Sequence, residues 1–492
     1  MTSKAKDNSA YDRLTGAEKD ALKSALNRGA TRRDAMQMMA AAGFSIAAAG
    51  SIVISASDAM AATPEKGGHL KVATHIQGPD DTMDPIGTGT ATDYSRGRAT
   101  YNSLIQLRDD LVPQPELAEE FSANSDATEW SFKLRKDVTF HDGSKLTADD
   151  VVYSMNRHYG DDSTSVVKSL VSGVTEWKKV GPYEVKAIVD SPYSDLAAVL
   201  GEKQFKIVKD GTTDFSLPTG TGPFKLESFQ PGVRSSHVRN ENYWREGANV
   251  DSMEIFGITD PIARVNALLS GDVNLASSID PKAIKQVEST DGVEIMSIPS
   301  GSYMGICLNA TKSPGNNPDF VKAMKLLQRR DKIVKSLLKG HGTVGNDHPI
   351  NVAYGVDHCS DIPIQAYDPD QAKSLIKKSG ITSAQIDVAE VTSGVTDAVL
   401  MLQRECSKIG FDLQVKKMAT DGFWGSVWQT TPMNVTAWSM RPTATIMLDI
   451  AYHPDAPWSD TWWKDERMGV LLAKAKAETD PANRHELQCQ MQ

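Results

Sequence analysis

Residues 113–154 read PQPELAEEFSANSDATEWSFKLRKDVTFHDGSKLTADDVVYS, and this stretch decides the fold. The acidic Leu-Ala-Glu-Glu run at residues 117–120 predicts the end of a helix. Downstream, the apolar residues Trp130, Phe132 and Leu134 alternate with polar residues, and this period of two is typical of a half-buried strand. The first part of the stretch therefore predicts a passage from helix into sheet.

A tight turn and a capped helix follow the strand. In His141-Asp142-Gly143 the glycine can adopt a positive φ, and the aspartate can bond to its own backbone. Thr147, with Asp150 three residues later, predicts a helix start of the capping-box kind. His141 could serve as a metal ligand or a base. Because no second ligand stands at helical spacing from it, we interpret it as a turn histidine that packs on the sheet.

The second landmark is GTGPF, residues 220–224, which by pattern could be taken for a phosphate loop. However, Pro223 has no amide hydrogen to donate to a phosphate, and no Lys-Ser/Thr pair follows. We therefore interpret it as a turn that enters a strand, which pairs with a second strand from Val233 towards Trp244.

The order of turn, strand and cap over residues 113–154, together with GTGPF and RNENYW (239–244), resembles the family 5 extracellular solute-binding proteins, the peptide/nickel type that serves ABC importers. The resemblance extends over 64–492. It implies an α/β, two-lobed periplasmic-binding-protein (venus-flytrap) fold of the large dipeptide-binding type, with an extra subdomain and lobes joined by a hinge. It also implies that the protein catalyses no reaction. Such proteins close around a solute outside the membrane and deliver it to a permease.

Lobe I is expected over residues 64–298, with the extra subdomain at about 100–215, and lobe II over 299–492. Ile298 to Ser302 is a natural crossing between them, because proline and glycine interrupt a strand-like run there. Besides the helix that starts near Thr147, helices are expected over residues 92–107, 320–340 and 466–492, and from Pro369 to Ser379. A further α/β unit is expected from 386 to 418. Because the last predicted helix reaches the final residue while family members continue, we expect a truncated C-terminus that lacks the return to lobe I.

The N-terminal segment, residues 1–61, is expected to be a signal peptide of the twin-arginine (Tat) type. Its motif is TRRDAM at residues 31–36, followed by a mildly apolar run at 35–56 and a small-residue cleavage pattern that ends at Ala61. The apolar run contains little leucine or phenylalanine, so a retained membrane anchor is the weaker interpretation. These features predict export by the Tat pathway to a Gram-negative periplasm.

The net charge limits the kinds of partner that the protein can bind, and the cysteines allow a disulfide. The chain has a net charge of −10, and loss of residues 1–61, which carry a net +2, leaves −12. A protein with this much negative charge is expected to bind nucleic acid and anionic lipid poorly, because like charges repel. The cysteines, at positions 307, 359, 406 and 489, are widely spaced, so a disulfide is possible but its pairing is open. We expect a monomer that binds a small solute and docks on an ABC permease complex in the inner membrane.

The resemblance places the ligand in the cleft between the lobes, where closure would bury it. Three segments are expected to line that cleft: the end of the first strand, the crossing strand, and the tryptophan-rich stretch from 424 to 462. The candidate ligand-binding residues are Thr74, His75, Ile76, Ser302, Tyr303, Met304, Trp424, Trp438, Ser439, Met440 and Arg441.

Arg441 suggests the chemistry of the ligand. Peptide-binding relatives have a Trp-x-x-Asp pattern at this place, and the aspartate holds the ligand's α-ammonium group. Here Arg441 stands roughly where the aspartate would be, and a guanidinium binds carboxylate or phosphate through parallel hydrogen bonds. We therefore favour an anion-bearing, amino-acid-derived solute of the opine kind, or a modified peptide. The alternative is that Arg441 pairs with a structural acid such as Asp449, or lies in solvent.

Two other features have competing interpretations. Trp428 and Trp438 could be core residues, although five tryptophans in one region favour stacking of one or two on a ligand. The segment from His341 to Cys359 is rich in histidine and aspartate and could hold a metal for a metal or metallophore carrier. Its spacings match no tight ligand set, so we interpret it as a surface loop without metal.

The rival functions come from different classes. A secreted hydrolase would need a Ser or Cys, a His and an acid that converge, and the sequence has neither a nucleophile elbow nor paired catalytic carboxylates. It has no cofactor fingerprint either. A third possibility is a binder coupled to a chemoreceptor, or a chaperone-like binder, with the same fold. The leading prediction is a binding protein, not an enzyme.

Overall fold

The computed structural model describes residues 66–108, 111–420, 422–456 and 458–492. The predicted signal peptide, with its twin-arginine motif and cleavage site, lies outside these residues. From Gly68 to Gln492 the chain forms one compact unit. No helix within the described ranges is both long and apolar enough to cross a membrane.

The regular elements of the described chain alternate between strands and helices. The strands are β1 (His69–Thr74), β2 (Ile105–Leu107), β3 (Pro113–Pro115), β4 (Ala118–Ala123), β5 (Glu129–Leu134), β6 (Val174–Gly181), β7 (Glu184–Val189), β8 (Phe224–Gln230), β9 (Arg234–Arg239), β10 (Ser252–Gly257), β11 (Leu275–Ala276), β12 (Tyr303–Leu308), β13 (Ser383–Val388), β14 (Asp412–Lys417) and β15 (Met433–Trp438). The α-helices are α1 (Ala91–Thr100), α2 (Ala148–Asn156), α3 (Leu196–Leu200), α4 (Pro261–Leu269), α5 (Ile284–Glu288), α6 (Pro318–Leu326), α7 (Arg330–Lys332), α8 (Pro369–Ser379), α9 (Val395–Lys408), α10 (Phe423–Ser426), α11 (Ala444–Tyr452), α12 (Glu466–Ala477) and α13 (Pro481–Met491).

The first sheet combines parallel and antiparallel strands in the order β11-β1-β10-β9-β8. Strand β1 runs parallel to β10 and β11, whereas β9 is antiparallel to both β10 and β8. Val72, Phe224 and Ile255 pack on one side of this sheet with Ala99 of α1. The pairing brings the C-terminal end of β1 next to segments that are about two hundred residues away in sequence. Parallel strands cannot be joined by a tight turn, so a longer crossover connects them.

The second sheet, ordered β4-β5-β7-β6, is antiparallel throughout and contains the strand predicted within residues 113–154. The predicted strand is confirmed as β5, and Trp130, Phe132 and Leu134 are buried. The helix end predicted at residues 117–120 is wrong, because these residues enter strand β4. An irregularity in register between Ala118 and Glu120 leaves two consecutive acids exposed, and this breaks the alternation that would have revealed a strand.

The turn and the helix cap form as the sequence predicts. Gly143 has a φ of 87°, and Asp142 accepts a hydrogen bond from the Ser144 amide at 2.9 Å. Helix α2 begins after Thr147, whose amide donates to the Asp150 carboxylate at 2.7 Å. The same carboxylate is also held by the Asp210 amide at 2.9 Å, so this cap fixes a distant segment as well.

His141 joins the two sequence landmarks and is a structural residue. Its Nε2 donates to the Gly222 carbonyl at 3.0 Å, while its Nδ1 accepts from the Gly220 amide at 3.3 Å. The Gly222 amide in turn donates to the Thr100 carbonyl at 2.9 Å. A Cβ at Gly220 would lie 1.9 Å from that carbonyl oxygen, so the backbones approach too closely for any side chain. The amides of Gly220 and Gly222 therefore form hydrogen bonds within the protein. The predicted turn before β8 is confirmed.

The third sheet, ordered β12-β15-β13-β14, lies in the second half of the chain. Strand β13 runs parallel to β14 and β15, and β12 is antiparallel to β15. Helix α9 connects β13 to β14, which confirms the α/β unit expected from 386 to 418. Its core contains Ile386, Val399, Leu402, Leu413 and Val435.

Two of the long predicted helices are shorter than expected because their backbone groups bond elsewhere. The helix predicted over 92–107 ends at Thr100, and the Leu104 carbonyl accepts from the amides of Glu116 and Ala118, both at 3.1 Å. The helix predicted over 320–340 is broken after Leu326. The carbonyl of Leu326 accepts from the Asp368 amide at 3.0 Å, so the entry to α8 takes the place of the next helical turn.

The C-terminal helices of the described chain pack against the hydrophobic core that contains the second sheet. The helix predicted over 466–492 is two helices, because Asp480 caps a new helix that begins with Pro481. Arg484 of α13 pairs with Asp195 at 2.9 Å. A disulfide joins Cys359 to Cys489 with a Cα–Cα distance of 5.2 Å, which settles the open pairing and leaves Cys307 and Cys406 as buried free thiols.

Candidate functional site

A wide cleft of about 2930 Å³ runs past the end of β1, along β12 and past the end of β15. Small-molecule pockets commonly enclose about 300–1000 Å³, so this cleft has room for a solute and for closure around it. Nine of the predicted site residues line it: His75, Ile76, Ser302, Tyr303, Met304, Trp424, Trp438, Ser439 and Arg441. The fold thus brings together three segments that are far apart in sequence.

Two predicted residues, Thr74 and Met440, do not line the cleft. The Thr74 side chain is buried and shares a hydrogen bond with the hydroxyl of Thr92 in α1, which fixes the strand end. The Met440 sulfur accepts from the Gly301 amide at 3.0 Å, and its own amide donates to the Ser302 hydroxyl at 3.3 Å. Both side chains therefore hold the backbone of the cleft wall.

His75 lies at the cleft end of β1 beside Ser277. Its Nδ1 is 3.2 Å from the Ser277 hydroxyl. Burial and the nearby positive charge of Arg264 lower the pKa of His75, so the imidazole is neutral near pH 7. A neutral ring can donate or accept one hydrogen bond to a solute but supplies no charge.

Arg441 follows β15 and pairs with Glu202, which lies just after α3. The guanidinium nitrogen Nη1 is 3.4 Å from the Glu202 carboxylate, and the Arg441 side chain is only 7% exposed. The structural acid proposed in the alternative interpretation, Asp449, pairs instead with Lys476 at 2.9 Å. The Arg441 Nε is buried and has no hydrogen-bond partner. Arg441 thus borders the cleft with one donor still unused.

The tryptophans form a continuous row of rings. The centroid distances are 5.6 Å from Trp424 to Trp428, 6.5 Å from Trp428 to Trp438 and 5.9 Å from Trp438 to Trp458. Neighbouring rings are steeply tilted, as aromatic pairs prefer. The Arg441 guanidinium carbon lies 5.6 Å from the Trp458 ring centroid at the far end of the row. Trp462 is outside the row and donates its indole N–H to the Gln429 carbonyl at 2.6 Å.

Asp460, which was not among the residues predicted from the sequence, lies in this row of indoles and borders the cleft. Its carboxylate accepts from the indole N–H of Trp438 at 2.7 Å, from the hydroxyl of Thr436 at 3.1 Å, and from the indole N–H of Trp428. Burial raises the pKa of Asp460 to about 6, although these three donors pull it down. The available signal was an acid set between tryptophans in WSDTWW, residues 458–463.

The segment from His341 to Cys359 does not form a metal centre in the structure. Cys359 is in a disulfide, and Asp347 is paired with Arg330 at 2.5 Å. His341 lies 3.1 Å from the Ser297 hydroxyl. Within the described ranges no group of three or more His, Cys, Asp or Glu residues is placed to hold a metal ion.

Comparison with known structures establishes what the fold resembles. The peptide-binding DppA from Helicobacter pylori, in complex with the peptide STSA, superposes with a TM-score of 0.76 at 21% identity, over 87% of this chain and 90% of that one. The binding protein AgaA from A. tumefacien R10, in complex with agropinic acid, gives a TM-score of 0.73 at 21% identity, over 86% and 89% of the two chains. These similarities confirm the two-lobed α/β fold.

Sequence comparison gives the family. The glutathione-binding protein GsiB of Escherichia coli O6:K15:H31 is 23% identical over 433 residues, which span 82% of this chain and 83% of GsiB. The family described as bacterial extracellular solute-binding proteins, family 5 middle, matches residues 112–457, more than half of the chain. The protein therefore belongs to the family 5 bacterial extracellular solute-binding proteins.

Proposed function

We propose that this protein is the solute-binding component of an ABC importer and captures a small peptide or an amino-acid-derived solute with an anionic group, opine-like in its chemistry. The solute would bind in the cleft and pass to a permease complex in the inner membrane. The proposal that the solute has an anionic group rests on one observation. Arg441 lies at the cleft and has a buried donor without a hydrogen-bond partner. Glutathione, a peptide and agropinic acid, the ligands of the similar proteins, all present carboxylates.

Arg441 has the geometry to receive such a group. A guanidinium has five N–H donors in a rigid fork, and the described partner of this one is a single carboxylate oxygen at 3.4 Å. A buried donor without a partner carries a desolvation cost that a ligand oxygen would remove. Glu202 keeps the buried charge compensated in the empty protein, because a lone buried cation is unfavourable.

The width of the cleft leaves room for the lobes to close on a solute. The lining residues come from β1 on one side and from β12 and the segment after β15 on the other. A solute that touches both sides stabilises the closed state by its differential affinity for that state. We infer that binding and closure are coupled, and that Ser302, Tyr303 and Met304 lie where the two sides meet.

Export to the periplasm fits the chemistry of the chain. The disulfide between Cys359 and Cys489 is of the kind that persists in oxidising compartments. The predicted Tat signal peptide supplies the route, and the acidic net charge is consistent with a carrier that binds neither nucleic acid nor anionic lipid. We propose a monomer, since one cleft suffices for the function.

A hydrolase is the weaker proposal because no described catalytic triad supports it. Burial raises the pKa of Cys307 well above its ordinary value and that of Cys406 to about 12, so neither thiol forms a thiolate nucleophile readily. Two histidines that line the cleft, His75 and His341, lie near the hydroxyls of Ser277 and Ser297 respectively. In neither described pair does a carboxylate bond to the second ring nitrogen, as a triad would require.

Calorimetric titration with glutathione, agropinic acid and the dipeptide Ala-Ala tests the proposal, with each solute assayed by mass spectrometry after incubation. We expect saturable binding of at least one, recovery of the solute unchanged, and a smaller radius of gyration in X-ray scattering of the complex. Conversion of the solute, or an absence of binding with identical scattering curves, would contradict the proposed function.

A further inference from the structure

Asp460 is a buried carboxylate at the cleft without a cationic partner. The residue is 5% exposed, and its three hydrogen bonds come from neutral donors: Trp428, Trp438 and Thr436. In the part of the chain that the structure describes, no lysine, arginine or histidine forms an ion pair with it. An isolated buried charge is unfavourable unless a counter-charge compensates it. The same burial raises the pKa of this carboxyl to about 6, which is the direction expected for an anion without a counter-charge.

The surroundings of Asp460 suit an organic cation. Trp428 and Trp438 meet at 68° and both donate their indole N–H to the carboxylate, while Trp458 packs on Trp438 at 57°, so the three rings lie in different planes. The face of an indole carries negative charge density and attracts ammonium groups, most strongly where water is excluded. The Asp460 carboxylate acts electrostatically on Tyr303, Cys307 and Tyr452, and none of these three groups carries a positive charge.

The hydrogen-bond inventory indicates which kind of ammonium fits. A carboxylate offers about four lone-pair positions, and three are taken here. Asp460 therefore has room for about one more donor. A primary ammonium brings three N–H groups and would leave two to find other acceptors. A secondary ammonium brings two and a quaternary ammonium none, so substituted ammonium groups match the site better.

We propose that the ammonium pocket formed by Asp460, Trp428, Trp438 and Trp458 binds an N-substituted ammonium group of the transported solute. The inference deepens the proposed function and rests on it. Arg441 lies at one end of the same indole row, 5.6 Å from the Trp458 centroid, whereas Asp460 bonds to the two central indoles, Trp428 and Trp438. The solute would thus be a zwitterion, with its carboxylate at Arg441 and its substituted ammonium at Asp460. An amino acid joined through its nitrogen to a carboxyalkyl group has this arrangement.

Small cations test the ammonium pocket separately from the anion site. The full chain is titrated with choline, with ethanolamine and with 3,3-dimethylbutan-1-ol, the neutral isostere of choline, while tryptophan fluorescence is recorded at constant ionic strength. Choline should bind about tenfold or more tightly than the neutral isostere, and more tightly than ethanolamine. Asp460→Asn should abolish the preference of choline over its isostere. Asp455→Asn, an exposed acid on the same loop, should keep it.

The wild-type protein gives a second measurement that does not depend on how the variant folds. Tyr303, Cys307 and Tyr452 face Asp460, and burial raises the pKa of each, so all three stay uncharged between about pH 5 and pH 8. Choline should therefore bind about tenfold more weakly at about pH 5 than at about pH 7.5, as Asp460 takes up a proton. The affinity for the neutral isostere should not change.

The outcomes separate this proposal from the proposed function. Equal affinities for choline and its isostere, or identical behaviour of Asp460→Asn and Asp455→Asn, would overturn the ammonium pocket even if glutathione or a dipeptide binds. Tighter binding of ethanolamine than of choline would overturn the preference for a substituted ammonium. Choline binding that requires Asp460, together with no binding of any carboxylate solute, would support the pocket and count against the proposed function.

Discussion

Arg441 and Glu202 are 239 positions apart in sequence, and yet the guanidinium of one lies 3.4 Å from the carboxylate of the other. The contact joins the segment after β15 to the segment after α3. Lys203 lies 3.8 Å from the same carboxylate. Glu202 therefore competes for the charge that we assign to ligand binding, and any anionic solute must displace it or share Arg441 with it.

Arg441→Ala should weaken binding of a carboxylate-bearing solute by about 2–4 kcal/mol, because a desolvated charge pair is lost. Calorimetry with the best binder of the solute panel measures this. Arg467→Ala is the matched control, since that side chain is 87% exposed and should not affect affinity. Glu202→Gln should have the opposite effect and tighten binding, because it removes the competing anion. Unchanged affinity in both cleft variants would exclude Arg441 from the site.

Asp150→Ala should lower the free energy of unfolding by about 1 kcal/mol or more, because it removes the reciprocal cap of helix α2. The carboxylate also holds the Asp210 amide, so the loss is not confined to the helix. The adjacent Asp149 forms an exposed pair with Lys179, and Asp149→Ala should cost less than about 1 kcal/mol. Urea unfolding curves of the two variants give the comparison. Equal destabilisation by both would contradict the cap.

Removal of the disulfide should lower the free energy of unfolding by about 2–5 kcal/mol, since the bond closes a long segment of chain. Cys359 and Cys489 are 130 positions apart. Thermal unfolding with and without reductant measures the effect, and the double variant Cys359→Ser/Cys489→Ser should no longer respond to reductant. Alkylation of all four cysteines after the protein is unfolded without reductant, rather than of Cys307 and Cys406 alone, would show that the bond does not form.

Stability should depend on pH through Asp460. Its pKa is about 6 in the folded protein, above the ordinary value of 3.8, so the folded state binds the proton more tightly than the unfolded state. The associated stabilisation is full below about pH 3.8 and is lost as the pH rises through about 6, in total about 3 kcal/mol. From about pH 4 to pH 7.5 the wild type should lose about 2 kcal/mol of unfolding free energy relative to Asp460→Asn, most of that total.

Asp455→Asn supplies the reference for this pH series, since the side chain is 84% exposed. Its stability should follow that of the wild type at every pH. If Asp460→Asn also runs parallel to the wild type, Asp460 does not titrate in this range, and the assigned environment of its carboxylate is wrong.

The sequence predicts the fold well where local signals determine it. The alternation in β5, the glycine of the His141 turn and the reciprocal cap of α2 each act within a few residues, and all three form as expected. The predictions failed where distant backbone groups intervene. The Leu326 carbonyl bonds to Asp368 rather than continuing a helix, and no pattern within residues 320–340 reveals this.

The site was harder to predict because its chemistry depends on tertiary partners. The predicted residues of the first strand, the crossing strand and the tryptophan-rich segment do border one cleft. Neither the partner of Arg441 nor the burial of Asp460 could be read from the chain, since Glu202 and Trp428 come from other elements. Thr74 and Met440 belong to the same segments as the cleft residues, but their side chains form contacts that hold the backbone of the cleft wall.

Native mass spectrometry of the protein purified from its host can detect a bound solute, because a binding protein of this kind can retain its ligand. We expect a compact ion series with one additional small mass per chain, which is lost on Arg441→Ala and kept on Arg467→Ala. The released solute should contain both a carboxylate and a substituted nitrogen. A compact protein that never carries an adduct, even after incubation with glutathione, agropinic acid and Ala-Ala, would contradict the proposed function.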